Sequence, residues 1–490
     1  MHGSSVSRWA VALAAGIAVI APAAAKDRAP QNLLPTQASP APSATPSTSR
    51  TPTIPPAPVV ESTPPTVEPS AQPTTPAPAA SPSAPAVAVP TPPPAPVPVV
   101  EPVMHWGLAD AKALLAVVQK IDREGLIAVD YQPDALAQAL AGGEGPTLDD
   151  VASHSFAWLA EDLRDGRTPM DARVQWFAVD PDPDQMPTEG LMTKAIETHD
   201  IAGVLAGLAP RYPDYAALKA ALAATPKADT KARDTIRINM DRWRWLPREL
   251  GQIYLITNVP EYQLRLTVND RIVRTYRTVV GKPGKTATPQ LAEKVEGVVF
   301  NPTWTVPQSI VVGEGLGARL AASPAAALRE GYKVTKMADG TIIVVQQPGP
   351  KNSLGQLKID MPNPHAIYLH DTPAKALFDA PVRAFSHGCI RTDRALELGM
   401  TMAMLGADLT QEQAVQNAVS GKYTRVTMTK TFPVYITYVT MGQDITGKLT
   451  KFTDIYGRDA PVIASFAAPR QLKTTQRTSK EAIIKLDNPL

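Results

Sequence analysis

The chain has almost no cysteine: Cys389 is the only one in 490 residues, so no disulfide can form within the chain. It also has almost no net charge. A formal net charge of +2 gives no broad basic field, which argues against nucleic acid as a partner. Long apolar runs are absent after the N-terminus. Proline is the exception, because the chain has 51 prolines and nearly half of them lie before residue 104.

Residues 1–25 have the layout of a secretory signal peptide. Arg8 precedes the apolar run Trp9–Ile20, and the small residues Ala23–Ala25 precede Lys26. We therefore predict export to the periplasm by a cleaved signal peptide, with an uncleaved membrane anchor as the alternative. Paired cysteines become disulfides in an oxidising compartment, so a lone cysteine there is either a buried core residue or a thiol kept unpaired for reaction.

The next two segments differ in composition. Residues 26–103 are rich in Pro, Ala and Thr and cannot bury enough apolar surface to fold, which predicts a disordered linker with polyproline II character. Residues 104–235 show helical periodicity and predict an α-helical scaffold domain. Its first helix places five apolar residues on one face: Leu108, Ala111, Leu115, Val118 and Ile121.

Strand patterns dominate residues 236–469, and residues 470–490 resemble a loose tail. The segments rich in β-branched and aromatic residues are IYLITNV, YQLRLTVND, RIVRTYRTVVG, TIIVVQQ, HAIYLHD, TRVTMTK and PVYITYVT. Helices are predicted at PAAALREG and DRALELGMTMAML. The fold class is therefore α+β, with a mainly β domain after a helical one.

Three of the seven histidines, His365, His370 and His387, lie within 25 residues of Cys389. A thiol with its free pKa of about 8.5 is a poor nucleophile near neutral pH and needs a base or a positive neighbour. His387 lies two positions before the cysteine, and His370 ends the apolar run AIYLH. The residues alone leave the choice of base between these two open.

The backbone around Cys389 also favours acyl transfer. Gly388 permits a sharp turn, and consecutive N–H groups at such a turn can bind an oxyanion. We expect a helix to begin just after Thr392 or Asp393, either of which could cap it. Cys389 would then lie near a helix N-terminus, which favours the thiolate. Nucleophile, base and oxyanion donors together indicate a cysteine acyl-transfer site, and the alternative is a buried cysteine beside unrelated histidines.

The segment HDTPAKALFDAPVRAFSHGCIR resembles the signature of the L,D-transpeptidase catalytic domain, also called the YkuD domain. That signature is a histidine, a spacer, and then Ser/Thr-His-Gly-Cys, an apolar residue and Arg. VVGKPGKTATP, FNPTWTVPQSI, MDRWRWLP and FTDIYGRD resemble other elements of the family's larger periplasmic branch. The resemblance covers residues 104–468. It implies a YkuD-like catalytic domain at 236–469 with a capping insertion at about 310–364.

The resemblance assigns roles to individual residues. It implies that Cys389 is the nucleophile and His370 the general base. Ser386 belongs to the matched signature as a supporting residue. Four roles are secondary. His387 shapes the pocket or is a partner for the thiolate, and the N–H groups of Gly388 and Cys389 are candidates to bind the oxyanion. The carbonyl of Asp371 holds the His370 tautomer, and Tyr368 either packs in the core, the favoured interpretation, or lines the substrate pocket. Arg391 pairs either with an acidic group of the substrate or with the protein itself.

The family's reaction implies an enzyme that acts on peptidoglycan stem peptides without a metal or an organic cofactor. A tetrapeptide donor acylates the cysteine and releases D-alanine. A diaminopimelate amine then resolves the thioester to give a three-to-three crosslink, and carbapenems are expected to acylate the same cysteine. The peptidoglycan-binding module of the larger branch is absent between scaffold and catalytic domains. Its localising role is therefore expected to pass to the N-terminal segments or to a protein partner in cell-wall synthesis.

Other functions fit parts of the same pattern. The attachment of an outer-membrane lipoprotein to the wall, or its release, uses the same chemistry with another acceptor. A non-catalytic wall-binding protein is a further alternative, but an intact catalytic signature argues against it. A papain-like peptidase has its cysteine before its histidine in sequence, whereas here His370 precedes Cys389.

Overall fold

The computed structural model describes residues 97–481. The predicted signal peptide at 1–25, the predicted linker up to residue 96 and the last nine residues of the predicted tail lie outside the described residues. Between residues 97 and 481, every helix is too short or too polar to cross a membrane.

The first part of the described chain is helical, as the sequence predicts. Prolines open three of the helices, at a position where the missing N–H has no partner within the helix. The apolar faces meet in a core around Trp106, Leu114 and Phe156. The helices are α1 Leu108–Val118, α2 Pro133–Gly142, α3 Pro146–Asp165, α4 Asp182–Gln185, α5 Thr188–Glu197, α6 Ile201–Ala206, α7 Pro213–Ala224 and α8 Thr230–Arg244.

A sheet that is nine-stranded within residues 97–481 forms the second part. Its strands are β1 Ile253–Asn258, β2 Gln263–Val268, β3 Arg271–Gly281, β4 Leu291–Phe300, β8 Leu357–Asp360, β9 Leu369–His370, β10 Ala384–Ser386, β11 Ile390–Thr392 and β12 Thr424–Thr437. The order is β10-β3-β11-β9-β8-β4-β12-β1-β2, and β2 also pairs with β3. Helix α12 (Ala395–Ala407) buries Leu398 and Met402 in the core of this sheet.

A small subdomain is inserted between β4 and β8. It consists of β5 Trp304–Thr305, α9 Gln308–Gly313, α10 Leu316–Ala321, α11 Pro324–Arg329, β6 Tyr332–Lys336 and β7 Ile342–Gln346. The three strands form their own sheet around a separate core of Val306, Val311 and Val344. The insertion predicted at about 310–364 is therefore present with wrong bounds, because it begins at Trp304 and β8 belongs to the large sheet.

The helical part and the sheet share a third core. This core contains Trp176, Trp243, Trp245, Tyr254, Tyr435 and Phe466, the last from α14 (Asp459–Ala467). Polar contacts cross the same boundary. The Asn239 amide donates to Thr440 Oγ1 at 3.0 Å, and Arg242 Nη1 lies 2.6 Å from Asp459 Oδ1. Helix α8 continues through residue 236, so the predicted domain boundary at that position is wrong.

The described ends of the chain also pack on the helical part. Arg470 is buried and forms ion pairs with Glu161 at 2.9 Å and Asp162 at 3.0 Å. The Val99 N–H donates to the Lys473 carbonyl at 3.1 Å. The prediction of a loose tail from residue 470 is therefore wrong for residues 470–481. The predicted linker likewise has contacts from residue 97 onward.

Two strand predictions also differ from the structure. TRVTMTK and PVYITYVT form one strand, β12, whose register against β4 shifts between Thr427 and Phe432. HAIYLHD contributes only Leu369 and His370 as a strand. The remaining elements are α13 Gln411–Val419, β13 Met441–Gln443 and β14 Leu449–Lys451.

Candidate active site

The turn between β10 and β11 carries the cysteine and is held together by Ser386. The Ser386 hydroxyl donates to the Cys389 carbonyl at 2.5 Å and accepts from the Gly388 N–H at 3.1 Å. The Thr288 hydroxyl donates to the Gly388 carbonyl at 2.8 Å. Gly388 has a φ of 119°, which residues with a side chain rarely adopt. The glycine expected at this sharp turn is thus required by its geometry.

The two predicted oxyanion donors of this turn differ in their surroundings. The Gly388 N–H donates to the Ser386 hydroxyl at 3.1 Å, so it would have to leave that partner to bind an oxyanion. Across residues 97–481, no backbone or side-chain group accepts a hydrogen bond from the Cys389 N–H. That N–H is therefore unpaired, and its role as an oxyanion donor stays a prediction.

Cys389 is half-buried and holds its thiol in the neutral form. Its Sγ lies 3.6 Å from the Ala366 carbonyl, to which the S–H donates. Removal from solvent raises the pKa of the thiol to about 11, although Tyr368, Lys358 and Arg391 each act to lower it. The thiol therefore needs a base at the moment of attack.

Within residues 97–481, the thiol does not lie at a helix N-terminus. Strand β11 follows the cysteine, and α12 begins only at Ala395. The residue before α12 is Arg394, which caps nothing through its side chain, and Asp393 instead pairs with Arg277 at 2.9 Å. The predictions of a helix N-terminus beside Cys389 and of a cap at Thr392 or Asp393 are therefore wrong.

His370 is buried in β9 and has a defined tautomer. Its Nδ1 lies 2.5 Å from the Asp371 carbonyl oxygen. A carbonyl can only accept, so Nδ1 carries the proton and Nε2 keeps its lone pair. Burial, together with the charges of Arg391 and Lys358, lowers the pKa of His370 to about 3, and the hydrogen bond to the Asp371 carbonyl only partly opposes this. The ring is a neutral base at physiological pH.

Asp371 is itself fixed on both sides. Its Oδ2 accepts from the Gln356 N–H at 3.0 Å, and its Oδ1 pairs with Lys375. The carbonyl that orients His370 is thus part of an immobilised residue, as expected for a group that sets a tautomer.

Strand pairing places the histidine next to the cysteine segment. β11 runs parallel to β9, with Arg391 opposite His370, and the Ile390 N–H donates to the Tyr368 carbonyl at 3.1 Å. Side chains alternate along a strand, so Arg391 shares a face with His370. Tyr368 and Cys389 immediately precede β9 and β11 and are neighbours at that end of the pair. Ile390 points the other way, into the core.

Tyr368 lies between the cysteine and the inserted subdomain. Burial raises its pKa well above the usual value, and the neighbouring Cys389 raises it further. Trp304 of β5 packs against the same core as Tyr368 and Cys389. The Tyr368 and His370 ring centroids are 5.6 Å apart. Trp304 brings the subdomain to the site, a contact that sequence reasoning missed.

Lys358 is a second residue that sequence reasoning missed. It lies in β8 directly opposite His370 in the antiparallel β8–β9 pair. Its Nζ lies 4.6 Å from the centroid of the Tyr368 ring. The alternating pattern LKID predicts on which face of β8 Lys358 lies. Its position beside His370 depends on the register of β8 against β9, which the pattern does not determine.

Arg391 has no acidic partner in the protein between residues 97 and 481, and its Nε is buried without a hydrogen bond. Burial lowers the pKa of its guanidinium, and the charge of a Cys389 thiolate opposes that effect. Two partners are predicted for Arg391, the substrate and the protein itself. The described part of the chain supplies no acidic group for it.

The other two histidines have separate partners. His387 Nε2 lies 3.4 Å from Glu314 Oε1 of the inserted subdomain. The His365 ring packs on Phe177 of the helical part with centroids 4.1 Å apart. Within the described residues, neither ring forms a hydrogen bond with the Cys389 thiol.

Comparison with known proteins identifies two regions of the chain. Residues 252–402 match the sequence profile of YkuD, described as the L,D-transpeptidase catalytic domain, and residues 106–222 match a profile described as Scaffold domain. A Haemophilus influenzae protein provisionally named L,D-transpeptidase is 28% identical over 243 residues. That match covers 46% of this chain and 48% of the relative, so the chain spans about half the length of the curated relative it matches.

Two solved structures of L,D-transpeptidases are similar to part of this chain at low sequence identity. An L,D-transpeptidase from Mycobacterium smegmatis is 13% identical, with 38% of this chain and 58% of that chain covered and a TM-score of 0.19. A cysteine-to-serine mutant of an Enterococcus faecium L,D-transpeptidase is 13% identical, with 39% and 52% covered and a TM-score of 0.20. The predicted order of a helical scaffold followed by a mainly β YkuD-type domain is confirmed by the two profile matches and by the fold.

Proposed function

We propose that this chain, which carries a YkuD-type L,D-transpeptidase catalytic domain behind a Scaffold domain, forms three-to-three crosslinks in peptidoglycan by cysteine acyl transfer. One observation carries the proposal. The sole cysteine lies inside the matched domain, in the turn just before β11, and β11 pairs with the strand of a buried histidine. That histidine has one protonated nitrogen fixed by a carbonyl and one free lone pair.

The first half-reaction uses Cys389 and His370. The Cys389 Sγ attacks the carbonyl of the amide that precedes the terminal D-alanine of a tetrapeptide donor, while the thiol proton passes to His370 Nε2. The amide C–N bond then breaks as Nε2 returns the proton to the leaving amine. The products are a thioester on Cys389 and free D-alanine.

In the second half-reaction, the acyl group passes from Cys389 to the acceptor amine. The side-chain amine of diaminopimelate on a second stem peptide attacks the thioester carbonyl, and His370 Nε2 accepts its proton. The C–S bond breaks and the proton returns to sulfur. Thioesters are well suited to aminolysis. We expect the inserted subdomain, whose Trp304 packs against the same core as Cys389, to exclude competing water.

Arg391 suits an anionic substrate group. Stem peptides carry free carboxylates, and Arg391, whose Nε is buried without a hydrogen bond, has no carboxylate partner between residues 97 and 481. We therefore assign Arg391 to the substrate rather than to the protein. We assign Tyr368, which neighbours Cys389, to the same pocket.

The place of action and the partners follow from the sequence. The signal-like pattern at residues 1–25 supports a periplasmic enzyme, where peptidoglycan lies. Stem peptides are then both donor and acceptor, and proteins of cell-wall synthesis are the expected macromolecular partners.

The test is a reaction of the purified chain with disaccharide-tetrapeptides, followed by mass spectrometry. The expected product is a dimer whose fragmentation places the bond between two diaminopimelate residues, with about one D-alanine released per bond. Cys389→Ala is the matched control and should give no dimer. Tripeptide without dimer would instead indicate a carboxypeptidase, and dimer formed equally by the variant would rule out the mechanism.

A further inference from the structure

Lys358 is a cation set inside the sheet beside the reacting residues. Its side chain is only 15% exposed, although lysine is rarely buried without a partner. In the β8–β9 pair it lies opposite His370, and its Nζ lies 4.6 Å from the centre of the Tyr368 ring. An ammonium at that distance from the ring is attracted to its π-electrons.

The charge of Lys358 is only partly neutralised. The nearest carboxylate oxygen, Asp360 Oδ1, is 3.7 Å from Nζ. The other oxygen of Asp360 accepts from Arg425 Nη2 at 2.7 Å and from Arg425 Nε at 3.1 Å. Asp360 is thus bound more closely to Arg425, and the field of Lys358 extends toward the site.

We infer that Lys358 is a positioning residue of this site. Lys358 holds the Tyr368 ring against the Cys389 thiol, stabilises a thiolate on Cys389 and disfavours a lasting imidazolium on His370. This inference rests on the roles proposed above for Cys389 and His370.

The other charged groups near the thiol leave this effect in place. Arg391 on the same strand face adds a second positive charge. Asp371 faces away, since its carboxylate binds the Gln356 N–H and Lys375. On the outer side of the turn, Glu314 is paired with His387. The net charge around the Cys389 thiol is therefore positive.

Two neighbouring cations suit the proposed proton transfer. They stabilise the sulfur as it becomes anionic during attack, and they disfavour a lasting imidazolium. A proton received by His370 Nε2 is then passed readily to the leaving amine. Lys358 acts in this way without contacting the substrate.

The experiment measures the pH dependence of Cys389 alkylation by iodoacetamide, followed by intact mass, in the full chain. Lys358→Met should react roughly threefold to tenfold more slowly than the native chain at each pH from 7 to 9, because the loss of a nearby cation moves the thiol toward its neutral form. Lys358→Arg should retain the native profile. Lys430→Met, which removes an exposed lysine paired with Asp408, is the matched control and should also retain it.

Lys358→Gln is a second neutral variant for use if Lys358→Met shows no cooperative thermal transition. A native alkylation profile in a folded neutral variant would overturn the inference. So would an unchanged profile with a raised KM for the tetrapeptide, which would place Lys358 in substrate binding. Iodoacetamide needs no peptidoglycan, so failure of the crosslinking reaction leaves this test independent.

Discussion

His370 Nδ1 donates a hydrogen bond to the Asp371 carbonyl over 2.5 Å, and this single contact decides which ring nitrogen can act as a base. With Nδ1 protonated, Nε2 is the acceptor. His387, by contrast, faces Glu314 of the inserted subdomain. The two histidines that sequence reasoning first left as alternatives therefore have different surroundings.

His370→Ala should abolish acylation far more completely than His387→Ala. Loss of a general base costs roughly a hundredfold to ten-thousandfold in rate. His387→Ala removes only an exposed pair with Glu314 and should change the rate by about threefold or less. The measurement is single-turnover D-alanine release. Equal losses in the two variants would contradict the assignment of the base.

The buried His370 should make the fold sensitive to acid. Its pKa is about 3 in the folded chain against about 6.5 when unfolded, so the unfolded chain binds the extra proton between these values. The stabilising contribution is complete above pH 6.5 and is lost as the pH falls toward 3. Relative to His370→Gln, the native chain should lose on the order of 3 kcal/mol of unfolding free energy by pH 4.

Chemical denaturation at pH 7 and pH 4 measures that difference. The native chain and His370→Gln should differ by a pH-dependent amount. A difference that is the same at both pH values would show that His370 titrates normally in the folded chain.

Gly388→Ala should reduce activity strongly and the free energy of unfolding only moderately. A Cβ at this position would lie 3.1 Å from Ile367 Cδ1, and the φ of 119° is strained for alanine. The expected loss of stability is about 1–3 kcal/mol, whereas the turn that carries Cys389 would be displaced. Gly340→Ala is the matched control, because its φ is 87° but nothing lies within 4 Å of the added Cβ. Thermal melting and D-alanine release on both variants separate strain from displacement, and native activity in Gly388→Ala would contradict the account of the turn.

The C-terminal segment should contribute to stability through Arg470. This buried residue pairs with Glu161 and Asp162, so Arg470→Ala leaves two buried carboxylates without that partner and should cost about 3–5 kcal/mol. Arg477→Ala removes a more exposed pair with Asp184 and should cost less than about 1 kcal/mol. Urea denaturation compares the two, and similar losses would show that the segment is not held by this pair.

The sequence predicts what local patterns and the catalytic signature determine. Helices and strands follow their periodicity, and Cys389 and His370 follow from a motif confined to a short segment. Lys358 could not be found in this way, because its position depends on the register of β8 against β9. The packing of Arg470 depends on residues about 300 positions away. The sequence-based prediction of a helix directly after Cys389 was also wrong, because the short strand β11 follows it.

The central claim is that Cys389 carries the acyl group. The most direct measurement is the intact mass of the chain mixed with a disaccharide-tetrapeptide whose diaminopimelate side-chain amine is acetylated, so that no acceptor amine is present, followed by peptide mapping. The expected result is one adduct with the mass of the donor less D-alanine, on the peptide that contains Cys389, labile to hydroxylamine and absent from Cys389→Ala. D-alanine release without such an adduct, or an adduct on another residue, would contradict it.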